Sequence, residues 1–266
     1  MTTALHVGVA GLGLLGPGLD DWATGAPLLA DPSRWTSRPT VVPAPARLPA
    51  TERRRAGAVV KGSVAVADQA CAMAGVDPAT LGSVFASSTG DPLNCHLLCE
   101  TLATPERAVS PTRFTNSVHN AAAGYWHIAV RGMKPSASLA SYDATAAAGL
   151  VEAAGLCVAS GEPVLLVVCD QPFPSPLHAL RPLPDLFAWA MVLTPAAADT
   201  APRLAITAAG DTATTRCADA ALDALRAGAP AARALPLLQA LAGLSPSTAL
   251  VLEGPPGSVL RVEVTR

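Results

Sequence analysis

The sequence predicts an α/β layered fold, with helices packed on a mixed sheet of five or more strands, and three observations carry that expectation. Strand-like and helix-like segments alternate along most of the chain. The run Pro163-Val-Leu-Leu-Val-Val-Cys169 is apolar throughout, as a parallel strand buried on both faces is. Between Ala50 and Val76, the residues Ala56, Val59, Val60, Val64, Ala67, Ala70 and Cys71 recur at three- and four-residue intervals, the stripe of a helix buried on one side.

The elements follow in order. His6 to Ala10 reads as a first buried strand, running into a glycine-rich turn at 11–16. Residues 26–50 hold six prolines among short apolar pieces and read as loop or extended chain. The helix 50–76 has Thr51 as its N-cap and Gly75 near its end. A short strand at 82–88 meets the turn Thr89-Gly90-Asp91-Pro92, which starts a helix from Leu93 to Leu102. A second long helix is expected from Thr115 to Arg131, then a strand at 136–142, a helix at 145–159 and the strand at 163–169. Beyond the proline-rich turn 172–184 come strands at 186–194 and 203–209, helical patterns at 213–227 and 231–243, and strands Thr248 to Glu253 and Val259 to Val264. No repeat of 20–50 residues is visible.

Composition narrows the functional classes. With 266 residues, half of them apolar and 14% charged, the chain can bury a sizeable core and is not a disordered segment. Its net charge is −2, and its one basic run, Arg53-Arg54-Arg55, belongs on the solvated face of a helix, so nucleic acid is not an expected partner. Six cysteines without disulfide-like spacing suit a reducing, cytoplasmic setting. The apolar opening at Leu5 to Leu15 lacks a basic flank and is broken by Gly11, Gly13, Gly16 and Pro17, which argues against a signal peptide. No run reaches the roughly 18 apolar residues that a membrane span needs, so no membrane role is expected.

Several motifs invite chemistry and have plainer readings. Gly11-Leu-Gly13-Leu-Leu-Gly16 has the spacing of a dinucleotide fingerprint, but Pro17-Gly18 interrupts the helix that should follow, and no acidic strand end lies about 20 residues on. Close packing explains the glycines better, and no cofactor is expected. Cys95 and Cys99 lie four apart on one helical face and could hold a metal, yet no second ligand pair stands nearby, and no metal site is assigned. Cys169-Asp170 ends a buried strand, where the neighbouring carboxylate would keep the thiol protonated. His119 stands beside Ser117 and Asn120 with no nucleophile to serve, and is read as bonding backbone or lining a pocket. The segment from Pro135 through Asp143 to Gly149 reads as strand, sharp turn and helix entered through small residues. That geometry places a nucleophile at a helix N-terminus, where unpaired N–H groups stabilise negative charge. Here the turn offers Thr145 and Ala146, and a methyl group cannot attack a thioester.

Five segments taken in order resemble a β-ketoacyl synthase of the thiolase superfamily. Val7 to Pro17 is similar to the opening strand and turn. Gly82 to Asp91 is similar to the strand and glycine turn ahead of the dimer contact. Ser110-Pro111, Phe114, Ser117, Asn120 and Gly124 resemble the "sPxxFxxSxxNxxaG" helix. Gly132-Met-Lys134-Pro135-Ser136 resembles the "G-x-x-G-P-S" lead-in, with Lys134 in place of the second glycine. Ala144-Thr-Ala146 then falls on the "T-A-C" segment, which puts Ala146 at the cysteine. The resemblance covers about residues 5–170 and implies a single thiolase-like domain over 1–266, with 171–266 a divergent, shortened part relative to a full ketosynthase. The family's two catalytic histidine motifs have no counterpart there, since His178 is the one histidine after 170.

What the resemblance implies is a non-catalytic chain-length-factor-like subunit, similar to the short ketosynthase-like proteins of aryl polyene systems. Its expected partner is a catalytic β-ketoacyl-ACP synthase in a heterodimer, with acyl carrier protein as a further candidate. The nucleophile strand of each protomer pairs with its partner's in such dimers, so Ser136, Ala137, Ser138, Leu139, Ala140, Ser141 and Tyr142 form the expected interface strand. Thr89, Leu93, Phe114, Ser117 and His119 are the candidates to wall the partner's acyl tunnel. Two rival readings are a thiolase-fold acyltransferase or hydrolase using Thr145 or Cys169, and a homodimer that binds acyl groups or acyl carrier protein without a synthase.

Overall fold

One eight-stranded mixed sheet runs through the molecule in the order β3-β2-β4-β5-β1-β6-β8-β7. The strands are β1 (Leu5–Leu15), β2 (Gly82–Ala86), β3 (Ser136–Leu139), β4 (Val164–Asp170), β5 (Phe187–Pro195), β6 (Arg203–Gly210), β7 (Ser247–Glu253) and β8 (Ser258–Thr265). Strands β3, β2 and β4 are mutually parallel, and every later pair in the order is antiparallel. The helices are α1 (Trp22–Ala30), α2 (Ala50–Arg55), α3 (Ala58–Ala74), α4 (Pro92–Leu102), α5 (Pro111–Thr115), α6 (Ala121–Val130), α7 (Thr145–Ser160), α8 (Leu177–Leu180), α9 (Ala220–Gly228) and α10 (Leu235–Ala242). This computed structural model describes residues 4–196, 202–210 and 212–266.

The sheet separates two cores, which gives the expected layered α/β fold. On β4, Leu165, Val167 and Cys169 join the cluster under α3 and α6, while Val164, Leu166 and Val168 join the cluster under α1, α7, α9 and α10. Every residue of β4 is buried, as its unbroken apolar run predicts. Strand β5 repeats the division, with Ala188, Ala190 and Val192 on the first side and Phe187, Trp189, Met191 and Leu193 on the second.

Several expectations change, and the helix expected from Thr115 to Arg131 is split into α5 and α6. The first strand continues to Leu15, so the glycine-rich segment is extended chain rather than a turn that opens a helix. Its glycines serve the close packing of α3: a Cβ would sit 2.0 Å from Ala70 O at Gly11 and 2.0 Å from Val66 O at Gly13. Gln69 of α3 ties the layers further, its Oε1 accepting from Leu14 N (2.9 Å) and Trp22 N (3.1 Å). The helix at 50–76 is two helices, α2 and α3, broken at Ala56-Gly57. A Cβ on Gly57 would lie 2.2 Å from Asp91 Oδ2, so the break makes room for the loop before α4. Arg53, read as solvated, donates through Nη2 to Ala46 O (3.2 Å) and Leu48 O (2.9 Å) and so holds the preceding loop. The loop expected from residue 26 contains most of α1, whose Asp21 cap accepts from Thr24 N at 2.7 Å. Pro27 lies inside that helix, where a proline count suggests a break.

Among the described residues one segment, Tyr142–Ser160, is long and apolar enough to cross a membrane by length and composition. It is half buried, and Leu150, Ala153, Ala154 and Cys157 of α7 are fully enclosed against the sheet, as in a core helix.

Gly13→Ala should therefore destabilise the fold by about 1–3 kcal/mol through overpacking of α3 on β1. Urea denaturation of the variant and of the parent chain measures this. Gly155→Ala is the control, because a Cβ there meets nothing within 4 Å.

Candidate functional site

The turn between β3 and α7 has the predicted form. The chain leaves β3 at Leu139 and reverses through Ser141, and Tyr142 takes φ of 50°, a left-handed conformation that is strained for a residue with a Cβ. A short 3-10 turn, Tyr142–Ala144, leads into α7. The expected interface strand is therefore four residues long: Ala140, Ser141 and Tyr142 belong to the turn, because the reversal at Tyr142 ends extended pairing.

Thr145 is fully buried, and its hydroxyl is spent on the turn. Oγ1 accepts from Ser141 N at 2.9 Å and donates to Tyr142 O at 2.7 Å. Ala146, one residue further, is 2% exposed and belongs to the core cluster on the α7 side of the sheet. A chain of charges lies across the turn. The Arg181 guanidinium stacks 3.8 Å from the Tyr142 ring centroid and donates to Asp143 Oδ1 at 2.7 Å. Arg233 Nη2 lies 3.5 Å from Asp143 Oδ2, and Arg233 also pairs with Glu253. Arg181 and Arg233, which come to Asp143 and Tyr142, and Glu253, which pairs with Arg233, all lie after position 170. Sequence reasoning did not single them out, since isolated arginines on loops carry no local pattern.

A second feature surrounds the end of β4. Asp170 is completely buried, and its Oδ1 accepts from Ser88 N (2.7 Å), Thr89 N (2.9 Å), Ser87 Oγ (3.1 Å) and Thr89 Oγ1 (3.1 Å). Its Oδ2 is buried with no partner among the described residues. Burial pushes the carboxyl above the usual carboxylate range, and these hydrogen bonds oppose the shift. The Thr89 hydroxyl thus points into the protein.

Cys169 and His119 line one small cavity between α3, α6 and the ends of β2 and β4, together with Val59, Ser63, Phe85 and Ala122. The Cys169 thiol donates to Val59 O at 3.7 Å. Burial first, and the Asp170 charge second, push it far above its ordinary range, as the adjacent carboxylate led us to expect. His119 Nε2 donates to Ser87 O at 2.9 Å, so this histidine both bonds backbone and lines a pocket. Among the described residues no hydrogen bond joins the two groups.

The remaining wall candidates face outward. Leu93 is 50% and Phe114 69% exposed, and Ser117 is exposed with its Oγ donating to Phe114 O at 2.7 Å. Buried asparagines hold this surface. Asn94 Nδ2 donates to Arg113 O (2.9 Å), and Asn116 Nδ2 donates to Arg55 O (2.9 Å) while its Oδ1 accepts from Tyr125 OH (3.0 Å). Strand β3 is one of the two edge strands of the sheet, β7 being the other. Among the described residues, Leu93, Leu102, Phe114, Val118, Ile128, Met133 and Tyr142 make up half of the exposed large apolar side chains, and all fall between positions 93 and 142. On α4, Cys95 and Cys99 are both exposed, and no group of three or more metal-ligating side chains occurs among the described residues.

A profile for the β-ketoacyl synthase N-terminal domain matches residues 30–249. Comparison with curated proteins finds no relative. Among solved structures, a ketosynthase (ApeO) in complex with its chain length factor (ApeC) from Xenorhabdus doucetiae superposes with a TM-score of 0.74 at 20% identity, covering 98% of this chain and 100% of that one. The ishigamide ketosynthase/chain length factor gives 0.69 at 15% identity, covering 98% and 99%. A type II polyketide acyl-carrier protein in complex with its hexaketide-bound ketosynthase, AntDE:AntF, gives 0.73 at 11% identity, covering 100% and 99%. At these identities the likeness is one of fold, and it bears out the thiolase-like layered fold expected from the sequence.

The burial of the thiols has a direct consequence. In the native protein, Cys95 and Cys99 should react with a disulfide reagent within minutes, while Cys71, Cys157, Cys169 and Cys217 react only after denaturation. Spectrophotometric thiol titration with and without guanidinium checks this. Fast labelling of Cys169 in the native state would mean that its cavity opens.

Proposed function

Matched over residues 30–249, this chain belongs to the β-ketoacyl synthase N-terminal domain family, and from that premise we propose that it is a non-catalytic chain-length-factor subunit. It pairs with a catalytic β-ketoacyl-ACP synthase in the cytoplasm and shapes that partner's acyl pocket, in aryl-polyene-type biosynthesis. The observation that carries the proposal is Ala146. The strained turn and the helix entry are present, and the side chain that would hold an acyl group is a methyl. Decarboxylative condensation needs a nucleophile to carry the acyl chain and donors to stabilise the developing oxyanion. Residues after 170 contribute one histidine, His178, which is exposed on α8.

Support for the pairing comes from the edge strand and the solved relatives. An unpaired edge strand favours association, and so do exposed apolar side chains such as those between positions 93 and 142. Two of the structures similar to this chain are ketosynthase and chain length factor pairs, and a third holds an acyl-carrier protein, which makes that carrier a further candidate partner. The proposed wall consists of Leu93, Phe114, Ser117 and His119, with Thr89 shaping it from beneath.

The rival reading is an acyltransferase or hydrolase using Cys169, and the cavity that Cys169 shares with His119 favours it. It would need the thiol to ionise against both burial and Asp170. Thr145 as nucleophile would have to give up both hydrogen bonds that close the turn.

Co-expression with a full-length ketosynthase from the same gene neighbourhood should yield a stable 1:1 complex on size exclusion, with malonyl-dependent elongation only when both chains are present. Within that complex, Ser117→Trp should shorten the product by one or more extension units. Turnover by this chain alone, abolished by Cys169→Ala or Thr145→Val, would support the rival.

A further inference from the structure

Asp170 occupies a position where packing alone calls for an apolar residue: β4 is buried along its whole length, and the strand ends in a carboxylate with no exposed surface. Taking a carboxylate out of water is unfavourable unless donors replace the lost hydration. Here the donors come from one place. All four bonds to Oδ1 come from Ser87, Ser88 and Thr89, the residues that follow β2. The same loop is fastened at its neighbours. Gly90 N donates to Ser87 Oγ at 2.9 Å, Gln171 Nε2 donates to Asp91 Oδ1 at 3.2 Å, and Asp91 caps α4 by accepting from Asn94 N at 3.0 Å. On the other side, Ser87 O accepts from His119 at 2.9 Å, which joins the loop to the segment carrying Phe114 and Ser117. One buried carboxylate therefore fixes the loop, the entry of α4 with Leu93, and the seat of His119.

We infer that Asp170 is a positioning residue that holds the 87–91 loop and thereby sets the length of the acyl chain made in the partner's pocket. This rests on the chain-length reading above. Asp170 lies beneath the surface and acts through Thr89, Leu93 and His119, so its substitution should blur product length while leaving assembly intact. Asp170→Asn keeps an acceptor at Oδ1, whereas Asp170→Ala removes it. Ser87→Ala removes one clamp bond, together with the bond from Gly90 N, without altering any wall residue.

The test uses the complex of this chain with its ketosynthase. Hydrogen–deuterium exchange should show the 88–90 amides exchanging roughly tenfold faster or more in Asp170→Ala. Mass spectrometry of the products should show a distribution spread by at least one two-carbon unit, and Asp170→Asn should restore the parent distribution. If Asp170→Ala does not fold, Ser87→Ala carries the test, with the same spread expected. An intact complex with a loosened loop and an unchanged distribution overturns the inference. Leu93→Trp separates the two levels. If it also leaves product length unchanged, the chain-length reading fails; if it shortens the product while Asp170→Ala does not alter it, the positioning role alone fails.

Discussion

The burial of β4 on both faces is the constraint to which the rest of the molecule refers. Seven residues with no exposed side chain need a layer above and a layer below, and α3 and α7 supply them. The strand is parallel to β2, so the loops that leave both strands emerge at the same end of the sheet. There the strand closes on Asp170. A charge at the end of an apolar strand must find donors, and the loop after β2 wraps onto it. The position of α4, and of the surface beside it, follows from that closure.

The turn into α7 joins a strained backbone to a helix entered through small side chains. Tyr142 keeps a left-handed backbone, which costs on the order of 1–3 kcal/mol for a residue with a Cβ. Strain of this kind persists where the surroundings over-determine it. Here Thr145 closes the turn from within, and Arg181 holds it from outside by stacking on Tyr142 and pairing with Asp143. Arg233 and Glu253 extend the ion pairs to β7. The residues after 170 therefore do more than extend the sheet: they supply the charges that lie over the turn. In the proposed role, a fixed turn next to an edge strand serves assembly.

Much of this was legible in the sequence, for identifiable reasons. Three- and four-residue periodicity marks α3, and an unbroken apolar run marks β4, because each carries a long signal against which local exceptions are few. The strained turn was legible from small residues between a strand and a helix, and Ala146 from its place in that order. The glycines at 11 and 13 serve close packing, yet a strand that faces a helix backbone looks like a turn when read by glycine content alone. The break at Gly57 was missed because its cause, the Asp91 carboxylate, lies more than thirty residues away. Helix α1 was missed because Pro27 was counted as a breaker. The clamp at Asp170 and the arginines over the turn arise from contacts across 38 to 90 residues, which no local window contains.

In the proposed role, the growing acyl chain is carried by the partner and never by this polypeptide. Intact-mass spectrometry of the two-chain complex, quenched during incubation with an acyl-loaded carrier protein, tests it most directly. The acyl mass should appear on the ketosynthase alone, with this chain recovered at its unmodified mass at every time point. A transient acyl adduct on this chain, mapped to Thr145, Cys169 or any other residue, would make it an acyl carrier in its own right and rule that role out.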